Sequence, residues 1–368
     1  MPSSRVPGCR AALTALAVLA VGCGGADPGP PAPSATIAST TAPSAPGGAP
    51  DLNAPEEVAT GIDVPWGLAF LPDGAALVAE RDSGRVLRVS PGRAPESFAE
   101  IPGVVARGEG GLLGLAVAPD YAESRTVYAY FTAADDNRVV RFRQGAAPEV
   151  VFAGIAKAGN HNGGRIAFGP DGMLYVGTGD GGERELAQDP ASPNGKILRL
   201  TPDGAPAPGN PTPGSPVYSR GHRNVQGLAW DSAGRLFAAE FGQNRLDEIN
   251  LIEPGRDYGW PAVEGAGGAD RGFTDPLLTW STAEASPSGI AIAGDTLFVA
   301  ALRGERLWTA TMSGTGLTNP RDLFRDNYGR LRTVEVAPDG ALWLTTSNTD
   351  GRGDTSAGDD RVLRFPAR

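Results

Sequence analysis

The sequence predicts an all-β protein, a six-bladed β-propeller of four-stranded antiparallel blades, and three observations carry that expectation. Gly (52) and Pro (33) make up nearly a quarter of the 368 residues without a collagen period, so short elements are joined by many turns. One phrase, an apolar strand, a turn carrying Asp and a second apolar strand, occurs six times. No stretch combines helical periodicity with the length of an ordinary helix.

Taken in chain order, the first 23 residues hold Arg5 and Arg10, an apolar run from Ala11 to Val21, then Gly22 and Cys23. A charged start, a short apolar core and a small residue before the break form a secretory signal, too short to span a bilayer comfortably. The LAVGC string ending at Cys23 resembles a bacterial lipobox, with Ala20 where leucine is commoner. Cys23 is therefore expected to be lipidated, and the protein to be exported and either anchored at an outer membrane face or periplasmic. Residues 24–50 are almost entirely Pro, Ala, Ser, Thr and Gly with a single charge, and read as a disordered tether.

From 51 to 368 the composition does not break again, which predicts one domain. The six copies begin at Trp66, Leu112, Gly164, Val225, Ser288 and Leu331. Their turn aspartates, Asp73, Asp120, Asp171, Asp231, Asp295 and Asp339, are 44 to 64 residues apart, close to the period of propeller blades. A two-strand unit cannot bury both faces alone and must stack on its neighbours. In the PDG turns Pro presets φ, Asp accepts local hydrogen bonds and Gly tolerates positive φ, so these aspartates read as turn formers rather than metal ligands. A strand around Glu57 to Ile62 is expected to close the ring against a last blade ending near Arg361 to Phe365.

Forty-two acidic against 32 basic residues give a net charge of −10 with no basic block, which argues against nucleic acid as a partner. The only cysteines are Cys9 and Cys23, so the folded domain has neither a disulfide nor a thiolate metal site. Chemistry in such a ring is expected where loops converge at the channel mouth. The only histidines, His161 in AGNHNGGR and His222 in SRGHRNVQG, each precede a repeat strand, and the two polar strings are expected to face one another. Asp180, at the end of the hairpin that His161 opens, reads either as the carboxylate orienting the imidazole or as an Asx turn among glycines. Arg223 and Asn224 add a cation suited to a carboxylate or oxyanion, and an amide. The segment from Ala239 to Gly265 carries Glu240, Asp247, Glu248 and Asp257, oxygen ligands of the kind Ca²⁺ takes or a solvated acidic loop, without EF-hand spacing.

Five ordered strings, EGGLLGLAVAPDY from Glu109, HNGGRIAFGPDG from His161, YSRGHRNVQGLAW from Tyr218, DEINLIEPGRDYGWP from Asp247 and GRLRTVEVAPDG from Gly329, resemble the soluble-type PQQ-dependent sugar dehydrogenases. The likeness spans Val58 to Phe365. It implies a six-bladed propeller binding pyrroloquinoline quinone (PQQ) and Ca²⁺, and oxidation of an aldose to its lactone with hydride passing to the quinone. By this resemblance His161 is the general base, Asp180 steadies it, Arg223 stabilises charge on a quinone oxygen, and Asn224 contacts the cofactor. Arg303, Arg330 and Arg332 hold its carboxylates. The Gly242 and Gln243 carbonyls bind a Ca²⁺ at the cofactor, while Glu248 and Tyr258 belong to a second, structural calcium site.

The sequence departs from the family pattern at several positions. Glu109 replaces a glutamine beside substrate, Asn160 an aspartate before the histidine, Arg303 a lysine, Gln243 a proline, and Thr346 an aspartate near the cofactor. The expected partners are a small sugar and an unidentified electron acceptor, with the protein a monomer or homodimer. Two other readings are a propeller that binds ligand without catalysis and a calcium-dependent, gluconolactonase-like hydrolase.

Overall fold

The six repeat phrases form the two innermost strands of six blades. The structure, a computed structural model, describes residues 49–368. The signal segment 1–23 with Cys23, and the predicted tether up to residue 48, lie outside the described residues. The innermost strands are Pro65–Phe70, Leu112–Val117, Ile166–Phe168, Val225–Trp230, Pro287–Ala293 and Leu331–Val336. Each begins a four-stranded antiparallel sheet, as the repeats predict. Four of the turn aspartates make Asx turns, accepting the amide two residues on, at Asp73, Asp171, Asp231 and Asp339.

The second strands, such as Ala76–Glu80 and Leu342–Thr346, are buried at every residue. An outer strand such as Glu149–Ile155 is largely exposed, which is why the recurring phrase stops after the inner pair. Six apolar clusters fill the six interfaces between neighbouring blades. The last of these interfaces joins blade six to blade one through Val58, Ile62, Leu68, Val78, Trp343 and Val362. The ring closes where Glu56–Thr60 pairs antiparallel with Arg361–Phe365, Glu56 opposite Arg364 and Thr60 opposite Arg361. This is the predicted closure, with its register now defined.

Close approach of the innermost strands depends on missing side chains. A Cβ on Gly114 would strike the backbone of Gly164, and one on Gly289 would strike that of Thr333. Thr333 itself bonds across the last interface, its Oγ1 donating to the Trp66 carbonyl at 2.6 Å.

Candidate active site

His161 sits on the loop entering the third blade's innermost strand, in the left-handed region at φ 55°. That conformation is uncommon for a residue with a side chain, although histidine is among the types enriched there. It is pinned from two sides. The His161 amide donates to Glu109 Oε2 at 2.9 Å, and its carbonyl accepts the Gly181 amide at 3.1 Å. Gly179 has no side chain because a Cβ would run into that carbonyl.

The side chain lies between a carboxylate and a cation. His161 Nδ1 is 2.7 Å from Asp180 Oδ1, and Arg223 Nη2 is 2.6 Å from His161 Nε2. A guanidinium can only donate, so these partners assign the proton to Nδ1 and leave the lone pair on Nε2. Asp180 is fully buried and also accepts the Gly182 amide at 2.8 Å and Trp260 Nε1 at 2.9 Å. Burial pushes its carboxyl up, but the bond to His161, the charge there, and the other two donors outweigh this and hold it below its usual range. The hairpin thus brings together the orienting carboxylate and the histidine, and Asp180 also makes an Asx-type bond to Gly182. Arg223 is held by the Phe241 carbonyl at 3.1 Å. Its burial lowers its affinity for the proton against the opposing fields of Asp180 and Glu109.

The second histidine is elsewhere. His222 is fully buried, bonded to Ser219 Oγ at 2.8 Å and Glu240 Oε1 at 2.9 Å, and stacked on Tyr258. The two strings do meet, through Arg223 on His161 and Asn224 on the Gly163 amide, but His222 takes no part.

Next to this pair lies a cavity of about 290 Å³, joined to it through Glu109 and Phe241. Five of its lining residues are arginines: Arg81, Arg303, Arg330, Arg332 and Arg352. Arg330 and Arg332 share Asp350, which their charges hold below its usual range despite burial. Burial brings Arg332 down to about 9. Arg303 is exposed at the rim and has no ion pair or hydrogen-bond partner among the described residues. Arg352 reaches Glu109 at 2.9 Å, so the predicted substrate-side glutamate spans the cavity mouth and the histidine backbone.

Two positions depart from expectation. Thr346 faces away from the cavity, bonded to Asp360 Oδ1 and to the Arg361 amide at 2.9 Å each, because strand pairing in the sixth blade turns it to that side. The acid on the arginines is Asp350, four residues later, which the sequence reading passed over together with Arg81, Arg352 and Gln226. Asn160 is exposed, does not line the cavity and makes no hydrogen bond among the described residues.

The donor set fits a planar, quinone-bearing tricarboxylate. Arg223 Nε, Asn224 Nδ2 and Arg332 Nε are buried donors without partners among the described residues, where such an anion would supply acceptors. Asn224 Oδ1 is already taken by the Gly163 amide at 2.9 Å, which aims its amide nitrogen away from that bond.

The acidic segment sorts itself by partner. Glu240 accepts His222, the Arg223 amide and Asn250; Asp247 accepts the Gly242 and Ser286 amides; Asp257 accepts Gln188 and Arg220. These are structural. Glu248 lies in a small pocket with Gly242, Tyr258 and Glu264, where burial and then the Glu240 charge push its carboxyl up. The Tyr258 hydroxyl is spent on the Leu251 carbonyl and the Glu253 amide, so only its backbone oxygen remains for a cation. The Gly242 and Gln243 carbonyls accept no hydrogen bond among the described residues, while Glu264 gathers the amides from Gln243 to Leu246. No group of three or more His, Cys, Asp or Glu converges as a metal cage among the described residues. A Ca²⁺ would therefore be held by Glu248 and backbone carbonyls completed by water, a donor set that a hard cation accepts.

A histidine held by a buried carboxylate, beside an arginine-lined cavity on a six-bladed ring, fits a propeller enzyme that takes an anionic cofactor. The chain belongs to the glucose/sorbosone dehydrogenase family, whose pattern matches residues 62–355. It is similar to the PQQ-bound aldose sugar dehydrogenase of Streptomyces coelicolor, at 56% identity and TM-score 0.83, covering 89% of this chain and 100% of that one. An aldose sugar dehydrogenase of Escherichia coli (strain K12) is 30% identical over 79% of this chain and 89% of its own. The quinoprotein glucose dehydrogenase B of Acinetobacter calcoaceticus is 32% identical over 56% of this chain and 52% of its own.

Proposed function

We propose that this protein is a PQQ- and calcium-dependent dehydrogenase that oxidises an aldose at the anomeric carbon to the lactone, with His161 as general base. The observation that carries the proposal is the His161 Nε2 lone pair, set by Asp180 and facing Arg223, beside a cavity into whose wall Arg332 brings a buried donor without a partner among the described residues. When bound, the quinone would supply a two-electron acceptor for the hydride leaving the sugar carbon, and Ca²⁺ would supply Lewis acidity.

The chain's own residues do the rest. His161 Nε2 takes the proton of the anomeric hydroxyl, and the imidazolium so formed rests against the ionised Asp180. Arg223 turns its guanidinium from the imidazole toward the negative charge that develops opposite. Arg332, Arg330 and the rim Arg303 hold the cofactor carboxylates, with Asp350 keeping the first two in place. Glu109 accepts hydrogen bonds from a sugar hydroxyl at the mouth, next to Arg352.

A gluconolactonase-like hydrolase requires a calcium cage of side-chain carboxylates in the channel. The carboxylates at this cavity, Glu109 and Asp350, are engaged by arginines. Export through the signal segment, lipidation at Cys23 and transfer of electrons to an outside acceptor complete the reading. The test is titration of cofactor-free protein with PQQ and Ca²⁺, then dye reduction with a panel of aldoses, beside His161→Ala. Activity that needs both additions and falls by about 10²- to 10⁴-fold in the variant supports the proposal. Tight PQQ binding without turnover on any aldose points to a binding module, and no PQQ binding overturns the reading.

A further inference from the structure

What holds Asp180 comes from another blade. Trp260 lies on the segment after the fourth blade's third strand, Leu246–Ile252, and donates its indole Nε1–H to Asp180 Oδ2 at 2.9 Å. The other two donors, His161 and Gly182, share Oδ1. A carboxylate bonded through one oxygen can turn about its last torsion, whereas a donor on each oxygen fixes its plane. Trp260 is itself immobilised: it is buried, its amide donates to the Gly221 carbonyl at 3.0 Å, and its carbonyl accepts Gln188 Nε2 at 2.8 Å. The Arg223 guanidinium carbon lies 5.5 Å from the centre of the same indole ring, within cation–π range. One side chain therefore touches both partners of the His161 imidazole, the carboxylate at Nδ1 and the cation at Nε2.

We propose that Trp260 is a positioning residue for His161, fixing the plane of Asp180 and the seat of Arg223 so that the imidazole keeps its proton on Nδ1 and its lone pair on Nε2. The proposal rests on the reading of His161 as the base, yet its geometry can be tested without cofactor. The chain has two histidines, so the imidazole ¹⁵N spectrum of the full, cofactor-free protein contains two ring systems. His222, tied to Ser219 and Glu240, serves as the internal reference.

Trp260→Phe keeps an aromatic ring and removes the N–H. The His161 nitrogens are expected to move from the Nδ1–H pattern toward a mixture of tautomers, while those of His222 stay in place. In protein loaded with PQQ and Ca²⁺, kcat falls on the order of tenfold to a hundredfold with KM little changed. Unchanged His161 nitrogens and unchanged kcat in a folded Trp260→Phe protein overturn the proposal.

If that variant does not fold, Asp180→Asn provides the reciprocal reading. The Trp260 indole N–H resonance shifts if Asp180 is its acceptor, and an unmoved resonance overturns the proposal. A tautomer shift in Trp260→Phe together with no sugar oxidation by the wild-type protein supports the positioning role and refutes the dehydrogenase reading, so the two failures are distinguishable.

Discussion

Replacing Asp180 by Asn tests the catalytic geometry most directly. The carboxylate accepts three hydrogen bonds, from His161 at 2.7 Å, the Gly182 amide at 2.8 Å and Trp260 at 2.9 Å, on both of its oxygens. An Asn amide offers one oxygen, so at least one donor must face an N–H group. The larger effect is the lost charge. In the proposed reaction the His161 imidazolium forms beside a buried anion, and opposite charges about 4 Å apart at an effective dielectric of about 20 attract by about 4 kcal/mol. That corresponds to about three powers of ten in rate. With the site loaded with PQQ and Ca²⁺, dye reduction at saturating aldose should show kcat reduced about 10³-fold and KM nearly unchanged. The cofactor-free variant should keep a cooperative thermal melt. A folded variant whose kcat stays within tenfold of wild type would refute the claim that Asp180 supports charge on His161.

Other consequences follow from the same structure. Arg332→Met removes a buried donor whose Nε has no protein partner, and should weaken PQQ binding about 10- to 100-fold by absorbance titration, whereas the exposed Arg303→Met should cost less than about tenfold. Asp350 has a folded pKa below its unfolded value, so its contribution to stability is present above about pH 4 and is lost as pH falls through the folded value. Asp350→Asn should therefore destabilise by about 3 kcal/mol in urea melts at pH 7, and the gap to wild type should shrink toward pH 3; a constant gap would contradict the ion pairing. Gly114→Ala forces a Cβ into the Gly164 backbone and should cost about 1–3 kcal/mol, while Gly74→Ala, open around its Cβ but at positive φ, should cost less. Cys23→Ser should release the protein from the membrane fraction; retention there would show that the lipobox reading is wrong.

The magnitudes also rank the site's parts. Surface ion pairs at the rim, such as Arg352 to Glu109, are worth at most about 1 kcal/mol where solvent reaches them. Removing either of these residues should alter sugar preference more than stability. The buried Arg330, Arg332 and Asp350 cluster carries the opposite balance, since leaving either sign buried without its partner is costly.

The ring and its blade count were written in local chemistry. Inner hairpins recur in one phrase because both their faces are buried and their turns need Asp and Gly. The outer strands are exposed and vary freely, so no phrase marks them. Within the site, His161, Asp180 and Arg223 were legible because they sit at the ends of a repeat hairpin and in a polar string, and the resemblance to a family added Arg303, Arg330 and Arg332, which the structure brings to one cavity. Trp260, Arg81 and Arg352 were not legible, since each reaches the site from a segment whose place depends on how separate blades pack, and Asp350 was not, since its pairing with Arg330 and Arg332 depends on how the loop after Leu342–Thr346 folds back within the sixth blade. Within single blades, pairing and loop paths that no motif records sent His222 into a buried bond with Glu240 and turned Thr346 toward Asp360. Sequence determined which strands exist and how many blades they make, because that follows from periodicity and turn chemistry. Only the tertiary structure decided which charges meet, because contacts between residues 80 to more than 240 positions apart are set by ring closure and not by spacing along the chain.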